Sequence, residues 1–258
     1  MRFLLWLFLL LALAAPAVQA DAPDVDAILR KLVENSEDPQ VVSRRNSIAY
    51  QRTSRVEYLN DDGTKKRDTI RVFKISPENG RSVTRLISVN GRPAADKEDR
   101  NKSAARETGE KTRTLALNKE LLSRFKFTFE REDVFASRPV WVLSFVPKAD
   151  APADSFLDKL INGISGTFWI DQGDHQLARA DLRLSKRVSF FGGLGGAIDK
   201  LDLTLIQRRI EDSIWLGEAI QIDFAGRKLF SNIRFRCFEN CADFQAPSNQ
   251  HANFSSPE

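Results

Sequence analysis

Two cysteines close to the end of the chain, in Cys237-Phe-Glu-Asn-Cys241, are the only ones it has. Thiols at that spacing suggest a small disulfide loop, a pair of reduced thiols, or part of a metal site. Zinc takes four ligands as a rule, and the only histidines, His175 and His251, fall in a polar turn and a polar tail. No metal site is expected. In an oxidising compartment the expectation is a Cys237–Cys241 disulfide, whose short loop would staple a local bend and leave the fold to other forces. Two carboxylate pairs, Asp61 with Asp62 and Asp171 with Asp174, offer oxygen ligands for calcium. Aspartate also serves turns by bonding nearby backbone, and that is the expected role here. His175, in Asp-Gln-Gly-Asp-His-Gln, shows no orienting partner for general-base work, and no Gly-x-Ser-x-Gly elbow occurs. Gly192-Gly-Leu-Gly-Gly196 has the composition of a phosphate loop but joins two strand patterns, with no helix N-terminus to hold an anion. No catalytic residue and no cofactor emerges, and an enzyme is not expected.

The elements around these residues begin with a leader. Arg2 precedes the apolar run Phe3 to Leu13, and small residues end it at Ala20, before Asp21. That is the pattern of a cleaved secretory signal, too short to span a bilayer, which needs roughly 20 apolar residues. No cysteine follows it for lipid attachment, so the expected location is the periplasm, in soluble form. Cleavage removes one of 39 basic residues against 35 acidic ones, leaving +3. The signs alternate along the chain instead of forming a basic stripe, so nucleic acid is not an expected partner.

Val25, Ile28, Leu29, Leu32 and Val33 recur at helical spacing over Asp24 to Glu37, with Asp24 as cap and Pro39 as stop. From Ser43 the period becomes two. A strand through Ile48 to Tyr58 breaks at Asn60-Asp-Asp-Gly63, and strands over 69–75 and 82–89 continue a meander. The charged stretch Ala94 to Arg113 reads as an exposed helix or loop, and Asn118 to Arg124 as a helical turn. Phe125 to Phe129 and Val140 to Val146 follow; the second is apolar on both faces, the mark of a central, covered strand. A helix over Ala153 to Asn162 precedes strands at 166–171, 176–186, 198–210, 214–224 and 228–238. The expected organisation is a signal at 1–20, one domain at 21–244 and a loose tail at 245–258.

Eighteen Phe and four Trp, many on strands, supply large apolar side chains. One antiparallel sheet curved around a few helices encloses a volume that is hard to fill, so an apolar cavity and a solid core stand as equal alternatives. The basic residues of the first hairpin (Arg44, Arg45, Arg52, Arg55, Lys65, Lys66, Arg67 and Arg71) suggest a solvated outer face, ahead of contact with acidic headgroups or an acidic partner.

Tyr50-Gln-Arg-Thr-Ser-Arg-Val-Glu-Tyr58, Arg85-Leu-Ile-Ser-Val-Asn-Gly-Arg-Pro93, Phe168-Trp-Ile-Asp171 with Arg179, Trp215-Leu216 and Phe224-Ala-Gly-Arg227 together resemble the outer-membrane lipoprotein-sorting, or LolA-like, superfamily. The resemblance spans about Asp24 to Phe244 and rests on strand and turn motifs, none of them catalytic. It implies a mainly β fold, a single antiparallel sheet forming an unclosed barrel around a few helices. It further implies an apolar cavity for lipid or lipoprotein acyl chains. Ile28, Leu29, Leu32, Phe156 and Leu160 would form the lid, and Phe127, Trp141 and Phe145 would line the cavity. The implied role is a carrier, expected to be monomeric, that meets membrane-bound donor and acceptor proteins. The alternative is a regulatory or structural interaction module on the same fold, carrying no lipid.

Overall fold

The computed structural model describes residues 23–94, 117–190, 195–229 and 231–246. The expected leader, the charged stretch from residue 95, most of the glycine-rich stretch (191–194) and the expected tail from residue 247 lie outside them. Helix α1 (Val25–Glu37) forms as its spacing predicts, with the Asp24 carboxylate accepting the Ala27 N–H at 3.1 Å. Pro39 does not end the helical region. Asp38 accepts the N–H groups of Gln40 and Val41, and Pro39 opens a second helix, α2 (Pro39–Asn46). A proline costs nothing in the first turn, where its missing N–H would have had no partner. The strand predicted from Ser43 therefore starts only at Ala49.

Twelve strands form one antiparallel sheet among the described residues. They are β1 (Ala49–Leu59), β2 (Lys65–Glu78), β3 (Arg81–Val89), β4 (Arg92–Pro93), β5 (Phe125–Phe135), β6 (Arg138–Pro147), β7 (Ile164–Asp171), β8 (Leu177–Leu184), β9 (Val188–Phe190), β10 (Gly196–Glu211), β11 (Ile214–Lys228) and β12 (Ser231–Gln245). Two short helices, α3 (Lys119–Ser123) and α4 (Phe156–Ile161), precede β5 and β7. The order across the sheet is β4-β3-β2-β1-β12-β11-β10-β8-β7-β6-β5, with β9 paired to β10. The path is open, ending at β4 and β5. The last strand lies between the first and the eleventh, in register through Arg52 opposite Cys241 and Val56 opposite Cys237.

The main core sits where α1 meets the inner face of β5 to β8: Ile28 and Leu32 pack with Phe125, Leu143, Phe145, Phe168, Ile170 and Ala180. Gly166 lies opposite Phe145. A Cβ there would run into the Asp181 carbonyl oxygen and the Phe145 ring, so only glycine admits the ring at this height. Strand β6 is buried on both faces, as its composition predicts, yet it is not central; it lies next to the edge strand β5. Its outer face is covered not by a second layer but by a satellite cluster of Val140, Ala178 and Trp215, with Phe135 and Trp169 packed around it.

Candidate functional site

The eight residues predicted to form lid and cavity fall into two groups. Ile28, Leu29, Leu32, Phe127, Trp141 and Phe145 meet in the main core. They are packed rather than open: Leu32 is 1% exposed, and Phe145 has ring contacts to Phe125, Phe127 and Phe168 at 5.1, 5.5 and 4.7 Å. Trp141 is half-buried beside His175, ring centres 5.2 Å apart. Phe156 and Leu160 lie apart from this cluster, half-buried on α4.

The apolar surface that is not packed away lies further along the same sheet face. Leu205 joins the edge of the main core, and pairing then fixes which residues share its side of the sheet. Leu182, Leu203, Ile222, Cys237 and Val56 lie opposite one another in a row across β8, β10, β11, β12 and β1. The next row is Leu201, Phe224, Phe235 and Tyr58. Phe224 stacks on Phe235 with centroids 4.9 Å apart, and the Arg67 guanidinium lies 4.2 Å over the Tyr58 ring. All these side chains are half-buried. Leu182 packs against the main core, and the others belong to no buried cluster of the described residues. The row on the other side is polar at its far end, where Glu239 and Ser54 are buried beside Arg52, itself 4.8 Å over the Phe73 ring. The result is an apolar strip across five strands, called the trough below, that gives way to buried polar groups at one end.

Sequence patterns show the alternation that produces these rows but not which face turns inward. No local signal therefore distinguishes these residues, and Cys237 stands out in the sequence only for different chemistry. Cys237 and Cys241 lie on one face of a continuous strand, opposite Val56 and Arg52. At about 3.3 Å of rise per residue their Cα atoms are roughly 13 Å apart, against an upper limit near 7 Å for a bridge. The expected disulfide is therefore absent; extended backbone, not a bend, carries both thiols.

In each carboxylate pair one member, Asp171 or Asp62, bonds its own turn, whereas the Asp61 carboxylate accepts from Asn232 of β12 and that of Asp174 from side chains of β10 and β11. Asp171 is fully buried; its Oδ1 accepts the N–H groups of Gly173 and Asp174, and Arg138 donates to both of its oxygens at 2.6 and 2.8 Å. Burial pushes its pKa up, but the Arg138 and Asp174 bonds, the Arg138 charge and the Gly173 bond bring it below the usual carboxylate range. Asp174 accepts from Arg209 and from the Trp215 Nε1–H at 2.6 and 2.9 Å. Asp62 accepts from the N–H and hydroxyl of Thr64. The basic residues of the first hairpin do not form one surface either: Arg44 pairs with Glu211, Arg55 with Glu57 and Asp68, Arg45 reaches Gln176, and Arg52 is buried.

No family model matches the sequence, and no curated protein matches it. Solved structures do. An outer membrane lipoprotein-sorting protein domain from Vibrio parahaemolyticus is 12% identical, with 87% of this chain and 96% of that one covered and a TM-score of 0.38. A LolA superfamily protein from Nitrosomonas europaea is 11% identical, covering 88% of this chain and 94% of that one, TM-score 0.32. The Pseudomonas aeruginosa MucA/MucB complex contains a further match, 11% identical over 85% of this chain and 94% of that one, TM-score 0.25. The architecture itself, one unclosed antiparallel sheet holding a few helices, is the fold class expected from the sequence, and it says nothing of the ligand. No helix among the described residues is long and apolar enough to cross a membrane.

Proposed function

We propose that this protein is an exported carrier of acyl-chain amphiphiles, and that the trough, not the predicted cavity under α1, receives the chains. The observation that carries the reading is the pair of half-buried apolar rows from Leu201 and Leu203 to Tyr58 and Val56. A sheet face of this size left half-wet is unfavourable, at about 25 cal/mol for each Å² of apolar area, unless something apolar covers it. An acyl chain fits strand-walled apolar surface because it asks for no hydrogen bonds. The residues of α1 then act as packing that holds the two walls in place. The leader-like residues 1–20 are consistent with work in the periplasm, between a membrane-bound donor and a membrane-bound acceptor.

The test is uptake of a fluorescent fatty acid, alongside native mass spectrometry of the purified protein. Leu203→Trp fills the trough and Ile222→Asp places a charge in it; both should abolish uptake while circular dichroism stays unchanged. A protein that folds, carries no lipid and rejects the added fatty acid would instead be an interaction module.

A further inference from the structure

A second concave surface lies away from the trough, at the end of the half-barrel where β6 finishes and β7 begins. It is an open cleft of about 950 Å³ between the connection after β6, helix α4 and the link from β8 to β9. Its apolar lining includes Pro147, Ala151, Phe156 and Val188. Its charged lining is of one sign: Lys148, Lys159, Lys186 and Arg187. Arg187 is paired with Asp199 at 3.0 Å, whereas the three lysines have no ion-pair partner among the described residues. Asp150 and Asp154 lie on the same connection but do not line the cleft. Asp158, the acid of α4, faces away. Bonds from the Ser155 hydroxyl and N–H, and then from Arg124, hold its pKa down at about 2, and it stays committed to them. Beside this cationic cleft α4 turns Leu157 to solvent, 61% exposed, and β6 does the same with Val146 at 52%.

We infer that this end of the molecule docks on an anionic phospholipid bilayer. The lysines and Arg187 receive headgroup phosphates, and Leu157 enters the interface. Cations around an exposed large apolar side chain are what a peripheral membrane contact requires: the charge supplies attraction to the leaflet, and the apolar group supplies depth. A soluble anion would use the charges but has no use for Leu157, and an acidic protein would not need the lysines left unpaired around an open concavity. The cleft and the trough share a strand, since Val188 lies opposite Ile198 on β10, which also carries Leu201 and Leu203. Docking here would present one end of the trough to the bilayer, but the inference stands on the cleft alone.

The experiment is vesicle sedimentation of the whole protein. We expect binding to phosphatidylglycerol-containing vesicles, little to pure phosphatidylcholine, and loss on raising the salt. Each lysine near a charged leaflet contributes roughly a fivefold gain in partitioning, so Lys148→Gln, Lys159→Gln and Lys186→Gln together should weaken it by about 100-fold. Leu157→Asn should weaken it separately while the charge remains. All four positions are exposed, and the variants should melt as the parent does. Equal binding to both vesicle types, unchanged binding by the triple variant, or no binding at all would overturn the inference. So would displacement by inorganic phosphate at a concentration where chloride of equal ionic strength has no effect, which would mark a small-anion site. The triple variant should still take up fatty acid, and Leu203→Trp should still bind vesicles, so the docking and carriage readings fail independently.

Discussion

His175 shows how a residue that invites a catalytic reading is explained by packing. It occupies a left-handed backbone position in the β7–β8 turn, φ 49°, and its ring lies tilted against that of Trp141. Burial lowers its pKa, and the Lys31 charge lowers it further; the Gly173 bond and the charges of Asp171 and Asp174 only partly offset this. A histidine held below its ordinary value of about 6.5 favours the folded state when neutral. Its contribution is complete above that pH and is lost as the pH falls through the lower, folded value, because the unfolded chain takes up the proton first. The protein should therefore lose stability to denaturant between pH 7.5 and 5, and His175→Asn should flatten that slope. Asparagine is the appropriate replacement because it tolerates positive φ. An unchanged slope in the variant would place the titration elsewhere. Trp141 belongs to the same packed group, so a charge placed there disrupts the core and cannot report on cargo.

At the level of elements, the strands and α1 were legible because period and capping are local properties. The exception at Pro39 is instructive: a proline reads as a stop, yet Asp38 before it supplies a cap, and the local chemistry starts a helix instead. The trough was not legible, because its rows join residues from five strands, and which face curves inward depends on where α1 and α2 dock. Asn35 bonds the Asp174 carbonyl at 2.9 Å and Arg45 bonds Gln176 at 2.8 Å, tying both helices to the β7–β8 turn. The cysteines misled for a related reason. Spacing in sequence suggests a loop only if the backbone bends, and β12 stays paired to β1 from Cys237 to Cys241 and to β11 as far as Asn240. Intact mass should therefore be the same before and after reduction, and replacing both cysteines by serine should leave the thermal midpoint nearly unshifted. A two-hydrogen difference in mass would mean that β12 is bent at this point in solution.

For the whole molecule the decisive fact is that β12 is the junction. On one side lie β1 to β4, on the other β5 to β11, and among the described residues β12 is the strand that joins these parts of the sheet. Pairing Ala49 with Gln245 requires closure of nearly the whole chain. Such non-local pairing makes folding slow, in the range of milliseconds to seconds, since loop entropy is lost before contacts return it. A chain ended after residue 230 would expose β1 and β11 as long unpaired edges, which recruit other strands. It should aggregate or melt without a cooperative transition, and it should take up no fatty acid, because Phe235 and Cys237 complete both apolar rows. A synthetic peptide of residues 231–246, added in excess during refolding, should restore the transition by strand addition, and uptake with it. If the shortened chain melts cooperatively at the parent's midpoint, the two parts of the sheet are independent and the trough is not a single surface. If the peptide restores folding but not uptake, the chains are carried somewhere other than across β12, and the carrier reading loses its site.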